Sequence, residues 1–230
     1  MPLSDFHLGD PLFDEEKLQG YIQWIKDNKN AYTFINGDVF DCAIIDSLGN
    51  TYEANMTITQ AKIKAKNMLM PIKDKIIGLT MGNHERRVWN KTGVDIGFDL
   101  AMYLGLEDKY DQKGICGNIT INNINYRYYI KHGSGGGRTQ SYKMTCLQRM
   151  SEIVLNADLY IMSHVHDILT FQLQPLVIKD DIETRKQTFV TASSYLKYGG
   201  YAEDGNYQPA KTGSPRIRLN ALKKDIHVSI

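Results

Sequence analysis

Five short motifs in this chain combine imidazole rings with oxygen donors. Aspartate, asparagine and histidine side chains are ligands for divalent ions such as manganese, iron and zinc. Five of the six histidines fall inside these motifs, and His227 alone lies outside them. The motifs, in chain order, are Asp5-Phe6-His7, Gly37-Asp38, Gly82-Asn83-His84-Glu85, His132-Gly133 and His164-Val165-His166. Each motif alone is common, but the ordered set predicts two adjacent metal sites.

Two adjacent divalent ions indicate phosphoester hydrolysis. Ions roughly 3.5–4 Å apart can share a carboxylate and a bridging water, and their charge lowers the pKa of that water. The resulting hydroxide attacks phosphorus, while both metals neutralise charge on the phosphoryl oxygens. The predicted chemistry is therefore hydrolysis by a metal-bridging hydroxide.

The order of the motifs resembles that of the calcineurin-like metallophosphoesterase superfamily, whose pattern is D-x-H, G-D, G-N-H-[DE], H and G-H-x-H. The resemblance covers the chain from Asp5 to His166. One position departs from the pattern, because Ser163 precedes His164 where the family usually has glycine. The resemblance implies an α/β fold in which two mixed β-sheets pack face to face, with helices on both outer faces.

The resemblance also implies a role for each motif residue. The implied ligands are Asp5, His7 and His166 for one metal, Asn83, His132 and His164 for the other, and Asp38 as the bridge between them. Asp38, Asn83 and His84 would be the catalytic residues, with His84 facing the substrate to donate to a phosphoryl oxygen or protonate the leaving oxygen. We expect manganese at both positions, with iron or zinc as alternatives.

Five further features of the sequence could support or extend this site. Glu85 is expected to orient His84, and Asp41 is either a supporting residue or a solvated loop carboxylate. Arg86 is a candidate phosphate contact. Residues 133–138 are rich in glycine and could cradle a phosphate with Arg138, although a plain connector is equally compatible. A cluster of tyrosines could stack a nucleobase or simply pack together; it comprises Tyr195, Tyr198, Tyr201 and Tyr207.

The neighbours of the motifs favour a phosphodiester substrate. The protein serine/threonine phosphatases of the superfamily carry Asp-Arg-Gly in the second motif and an arginine before Gly-Asn-His-Glu. Here the second motif continues to Asp41, which is followed by Cys42 and Ala43 in place of Arg-Gly. Met81 stands before Gly82, where those phosphatases have the arginine. We therefore expect a phosphodiesterase or nuclease that acts on nucleotides or nucleic-acid ends. A phosphomonoesterase, acting on proteins or small molecules, is the alternative, and a catalytically silent metal-binding scaffold is a third possibility.

Length and composition fit one ordinary globular domain over residues 1–230. The chain is 42% hydrophobic and 23% charged, and its formal net charge of +1 gives no general attraction to nucleic acid or an anionic membrane. There is no secretory signal or long apolar run. Three isolated cysteines fit a reducing compartment, so we expect a cytoplasmic protein. No residue pattern indicates a partner protein or an oligomeric state.

Alternating helix and strand patterns place the motifs. Strands are predicted over residues 32–35, 75–81, 119–121, 126–130, 158–162, 169–178, 187–192, 216–222 and 225–230. Helices are predicted after the capping residue Asp14, over residues 57–69 and over residues 139–155. Four of the five motifs follow an apolar strand, where α/β proteins bind their ligands. Pro2 cannot donate to a sheet, so the first strand is expected to be short unless natural residues precede Met1.

Overall fold

The computed structural model describes residues 1–44, 51–178 and 180–230. The strands are β1 (Pro2–Leu3), β2 (Thr33–Asn36), β3 (Ile76–Thr80), β4 (Tyr110–Asp111), β5 (Ile115–Ile121), β6 (Ile124–Lys131), β7 (Leu159–Met162), β8 (Thr170–Leu173), β9 (Leu176–Ile178), β10 (Ile182–Thr184), β11 (Gln187–Thr191), β12 (Arg216–Leu219) and β13 (Ile226–Ser229). The helices are α1 (Glu15–Asp27), α2 (Ile58–Leu69), α3 (Asn83–Thr92), α4 (Ile96–Leu104), α5 (Gln140–Gln148), α6 (Met150–Ile153) and α7 (Tyr201–Asp204).

Two sheets lie face to face. The first has the order β1-β2-β3-β4, and its described strands are all parallel. The second is mixed, with the order β5-β6-β7-β11-β8. Phe34 of the first sheet packs with Tyr128, Ile130 and Leu159 of the second in a buried layer between them. The hairpins β9–β10 and β12–β13 form two small additional sheets.

Helices cover both outer faces, so the expected α/β sandwich is confirmed. Leu18 of α1, Leu69 of α2 and Leu100 of α4 join the buried cluster that includes Ile35 and Leu79 of the first sheet. On the other side, the described helices α5 and α6 contribute to a buried cluster that comprises Leu147, Met150, Ala157, Tyr160, Met162, Val165 and Phe189. None of the helices in the described residues has the length and apolar character needed to cross a bilayer.

Local capping explains why two of the predicted helices begin where they do. The Asp14 carboxylate accepts from the N–H of Lys17 at the start of α1 (3.1 Å). Thr57 and Gln60 form a reciprocal capping box at the start of α2. The helix predicted over residues 139–155 is instead two helices, α5 and α6, which meet at Arg149.

Two strand predictions were wrong in their boundaries, for identifiable reasons. The turn between the strands predicted over residues 119–121 and 126–130 is shorter than these bounds imply. It is only Asn122-Asn123, because both asparagines take the positive φ that this two-residue turn requires (46° and 68°). The strand predicted over residues 169–178 is divided before β9 by Pro175, which has no N–H to donate. Its first part, β8, pairs with β11, whereas its second part, β9, pairs with β10.

Asp158, just before β7, holds the ends of several elements together. Its side chain is 4% exposed and lies 2.9 Å from Lys224 Nζ and 3.4 Å from Arg185 Nη2. It also accepts from the backbone N–H of Arg127 at 2.8 Å. Burial alone would raise the pKa of this carboxyl, but the hydrogen bonds from Lys224 and Arg127 hold it below its usual value.

We expect Asp158→Asn to lower the free energy of unfolding by about 3 kcal/mol near neutral pH, because cationic partners lose a buried carboxylate. The pKa of Asp158 is lower in the folded than in the unfolded protein, so its stabilisation is present above about pH 4 and is lost as the pH falls through the folded value. Urea unfolding at several pH values tests this, with the exposed Asp108→Asn as control. An equal effect at acidic and neutral pH would contradict the assigned role.

Candidate metal centre

All five motifs lie at one edge of the sandwich. Asp5, Asp38 and Asn83 follow β1, β2 and β3, whose carboxyl ends meet because the strands are parallel. His132 and His164 follow β6 and β7, which are parallel neighbours in the second sheet. The sheet topology therefore gathers side chains that are distant in the sequence.

The backbone at this edge is unusual at the ligand positions. Asp5, His7, Asp38, His164 and His166 have φ between +48° and +69°. Residues other than glycine rarely adopt this left-handed backbone conformation, which costs about 1–3 kcal/mol at each position. Such conformations concentrate at functional sites, where they aim side chains at a common point.

Asp5, His7 and His166 form the first group of potential ligands. The Nε2 atoms of His7 and His166 face each other at 3.2 Å, and Asp5 Oδ1 lies 3.1 Å from His166 Nε2. Asp5 is buried, and its Oδ1 receives no hydrogen bond of acceptable geometry in the described residues. A buried carboxylate oxygen and two convergent imidazole nitrogens fit a divalent cation.

Asp38, His132 and His164 form the second group. His132 Nε2 lies 3.2 Å from Asp38 Oδ2, and the Asn83 side-chain oxygen lies 3.1 Å from His132 Nε2 and 2.6 Å from His164 Nδ1. The backbone oxygen of Asn36 lies 2.7 Å from His132 Nδ1, which leaves Nε2 directed at the group. These donors also fit a divalent cation.

Electrostatics link the two groups through Asp38. Burial would raise the pKa of its carboxyl, but the charges of His132, His84 and His7 hold it well below its usual value. His7 belongs to the first group and His132 to the second. Asp38 is therefore close enough to interact with both, as a bridging carboxylate must.

Asp41 lies against His84 and His7 rather than in open solvent. The Nδ1 atom of His84 is 2.5 Å from the backbone oxygen of Asp41 and 3.4 Å from its Oδ1, while His7 Nδ1 is 3.8 Å from that Oδ1. Burial alone would lower the pKa of His84, but the hydrogen bond that its ring donates to Asp41 and the charge of Asp38 raise it to about 9. His7, Asp41 and His84 lie as close together as the members of the other two groups, so Asp41 belongs to the site and is not a solvated loop carboxylate.

Glu85 does not orient His84 as expected. Its buried carboxylate accepts from the backbone N–H groups of Asp38 (3.0 Å), Phe40 (3.0 Å) and Gly82 (2.9 Å). It therefore fixes the loop after β2 against the start of α3. The backbones approach so closely that a Cβ atom on Gly82 would collide with Asp38, which explains the glycine of the third motif.

Asn36 is a supporting residue that the sequence pattern did not reveal. Its Nδ2 donates to Ser163 Oγ (2.7 Å) and to the Lys131 backbone oxygen (3.1 Å), while its Oδ1 accepts from Thr80 Oγ1 (2.8 Å). This amide links both sheets directly beneath the ligands. It also explains the departure at Ser163, whose hydroxyl binds Asn36 while the neighbouring His164 takes the positive φ.

The candidate substrate residues lie in different surroundings. Arg86 Nη2 donates to the backbone oxygen of Gln112 (2.6 Å), so it ties α3 to the segment after β4. The Arg138 guanidinium lies over the Tyr207 ring, 4.9 Å from its centroid. Tyr195 is fully buried against Phe6, which excludes it from a stacking surface. His227 is in β13 and belongs to none of the described groups.

No protein-family model and no curated protein sequence matches the chain. It is similar to solved structures of Vps29. A double mutant from Entamoeba histolytica has 12% identity and a TM-score of 0.46, covering 98% of this chain and 88% of that one. Vps29 of Chaetomium thermophilum has 12% identity and a TM-score of 0.44, covering 99% and 94%. At these low values the likeness has no bearing on function.

Proposed function

We propose that this chain is a dinuclear metal-dependent phosphoester hydrolase that prefers phosphodiesters. Nucleotides or nucleic-acid ends would be its substrates, cleaved by a phosphodiesterase or nuclease reaction. The observation that supports this most directly is the adjacency of two ligand groups, since Asp5 Oδ2 of the first accepts from the backbone N–H of His164 of the second at 3.3 Å. The unsatisfied Oδ1 of Asp5 is a further reason to expect a cation.

The residues of the five motifs would hold the metal ions and transfer a proton. Asp5, His7 and His166 would hold one ion, and Asn83, His132 and His164 the other, with Asp38 shared between them. When bound, the ions would activate water and neutralise charge on the phosphoryl group. His84 is fixed at both ends, since its backbone N–H donates to Asp38 Oδ1 (2.8 Å) and its Nδ1 contacts Asp41. Its Nε2 makes no hydrogen bond within the described residues and lies 3.9 Å from Asp38 Oδ2, so it could deliver a proton to the leaving oxygen.

The surroundings of the centre support a diester over a monoester. A phosphomonoester carries an extra negative charge, which arginine forks usually neutralise. Arg86 is already engaged by a backbone oxygen, and Arg138 stacks on Tyr207. A phosphomonoesterase is the second candidate, because Arg87 is close enough to His84 for its charge to lower the pKa of that ring.

Metal analysis and two chromogenic esters test the proposal. We expect the protein loaded with Mn²⁺ to retain two ions per chain and to hydrolyse bis-p-nitrophenyl phosphate faster than p-nitrophenyl phosphate. Iron or zinc loading would identify the best metal. Faster monoester cleavage would favour the phosphatase, two ions without hydrolysis of any ester would favour a scaffold, and failure to bind metal would contradict the whole proposal.

A further inference from the structure

Two segments beside the metal centre meet through a cation and an aromatic ring. The Tyr195 N–H donates to the backbone oxygen of the candidate ligand Asp5 (3.0 Å), and the Lys197 N–H then donates to Leu12 O (2.9 Å). This segment continues into α7 and reaches Tyr207. The second segment, residues 133–138, begins directly after His132 and ends at Arg138, whose guanidinium lies over the Tyr207 ring.

The start of α5 places this meeting point on the His166 side of the centre. Lys143, in the first half of α5, forms an ion pair with Asp167 (3.1 Å), the residue after His166. Arg138 lies two residues before α5, so it stands near the same end of this helix as Lys143. The side chain of His166 is 38% exposed, so the centre is accessible from solvent at this ligand.

Three tyrosines next to Arg138 form an ordered surface. Tyr201 and Tyr198 are 64% and 49% exposed, and the Tyr201 and Tyr207 ring centroids are 5.9 Å apart with 37° between their planes. The Tyr198 hydroxyl donates to Tyr207 O (2.9 Å), and the Tyr207 N–H donates to Ala202 O (2.9 Å). These bonds hold the three tyrosines in place, and the side chains of Tyr198 and Tyr201 still face solvent.

We propose that Arg138, Tyr201 and Tyr207 form a stacking surface for a nucleobase of the substrate, and we call it the aromatic surface. This inference rests on the proposed phosphodiesterase function and specifies its substrate class as nucleotides. Flat rings bind the face of any base, and the Arg138 guanidinium over the Tyr207 ring adds a second flat, cationic face for stacking. A tyrosine cluster that only packed on itself would hide its rings, whereas Tyr198 and Tyr201 remain exposed beside the half-buried Tyr207.

The chain offers a matched control for this surface. Tyr103 of α4 is 45% exposed and has the Lys62 ammonium 5.8 Å from its ring centroid. This pair joins α2 to α4, in the helix layer that covers the first sheet. Removing a tyrosine that has a cation over its ring is therefore a comparable change at both places, but only Tyr207 belongs to the aromatic surface.

Two diesters with the same leaving group separate base binding from chemistry. We expect Tyr207→Leu to raise the KM for thymidine 5′-(p-nitrophenyl phosphate) about tenfold, because one stacked base is lost. The KM for methyl p-nitrophenyl phosphate, which has no base, should stay within about twofold of the wild type. Arg138→Gln should show the same selectivity with a smaller effect, and Tyr103→Leu should change neither substrate. Equal losses on both esters, or no loss on either, would overturn the aromatic surface.

Equilibrium binding keeps this test independent of turnover. Fluorescence anisotropy of a labelled oligothymidylate with the metal-free protein should give a Kd about tenfold weaker for Tyr207→Leu and an unchanged Kd for Tyr103→Leu. If the wild type hydrolyses no ester but shows this difference in Kd, the proposed function fails and the aromatic surface stands. If both esters are hydrolysed and Tyr207→Leu changes neither KM nor Kd, the proposed function stands and the aromatic surface is contradicted.

Discussion

Replacing Asp38 with asparagine is expected to reduce the bound metal from two ions per chain to one or none. Diester hydrolysis should fall by at least about 100-fold, since even residues that only orient a ligand cost 10–100-fold when changed. Asp38 is the carboxylate that interacts with both ligand groups, and His132 Nε2 lies 3.2 Å from its Oδ2. Loss of its charge should therefore weaken both positions, whereas loss of a ligand such as His166 should weaken one.

Asparagine is the informative replacement because it leaves the local structure intact. It tolerates the positive φ of Asp38 (48°), and its amide oxygen can still accept from the His84 N–H. The control is Asp10→Asn, since Asp10 Oδ1 accepts from the Leu12 N–H (2.7 Å) and belongs to none of the ligand groups in the described residues. Elemental analysis after dialysis measures the outcome. If Asp38→Asn retained both ions, this result would contradict the bridging role of Asp38.

The sandwich could be predicted because the strands that carry the motifs are apolar and end abruptly in polar residues. Residues 33–36 and 76–80 show this pattern, and so does the strand before His164. By contrast, α3 was not predicted as a helix. Its exposed face is strongly polar and only Glu85 and Val88 are buried, so it lacks the apolar stripe by which a helix is recognised. Asn83 and His84 are thus the first residues of a helix rather than part of a loop.

The ligand groups could be predicted from motif order, but the residues that support them could not. Asn36 and Glu85 act through backbone atoms and through partners more than 40 residues away, such as Ser163 and Phe40. Contacts of this kind depend on how the two sheets pack, and no local spacing reveals them. The same is true of Tyr195, which looks like its neighbouring tyrosines in the sequence but lies in the core.

His84→Ala is expected to lower turnover of a diester by about 10²–10⁴-fold while both metal ions remain bound. His84 is not among the proposed ligands, and its ring is 3.9 Å from Asp38 Oδ2 and in contact with Asp41. The effect should appear in kcat, because the lost interaction is made in the transition state. The control is His227→Ala, in an exposed position of β13 outside the ligand groups. A variant that lost its metals would show that His84 is a ligand.

The leaving group distinguishes the two roles considered for His84. If its Nε2 protonates the leaving oxygen, the variant should lose much more activity on a dinucleotide, whose leaving alkoxide needs a proton, than on bis-p-nitrophenyl phosphate, whose leaving phenolate does not. If the ring only stabilises charge on the phosphoryl oxygens, both substrates should lose activity equally. The contact of Nδ1 with Asp41 leaves Nε2 as the atom available to the substrate, so we expect the unequal loss. Asp41→Asn should then reproduce part of that inequality, because it weakens the support of the ring without removing Nε2.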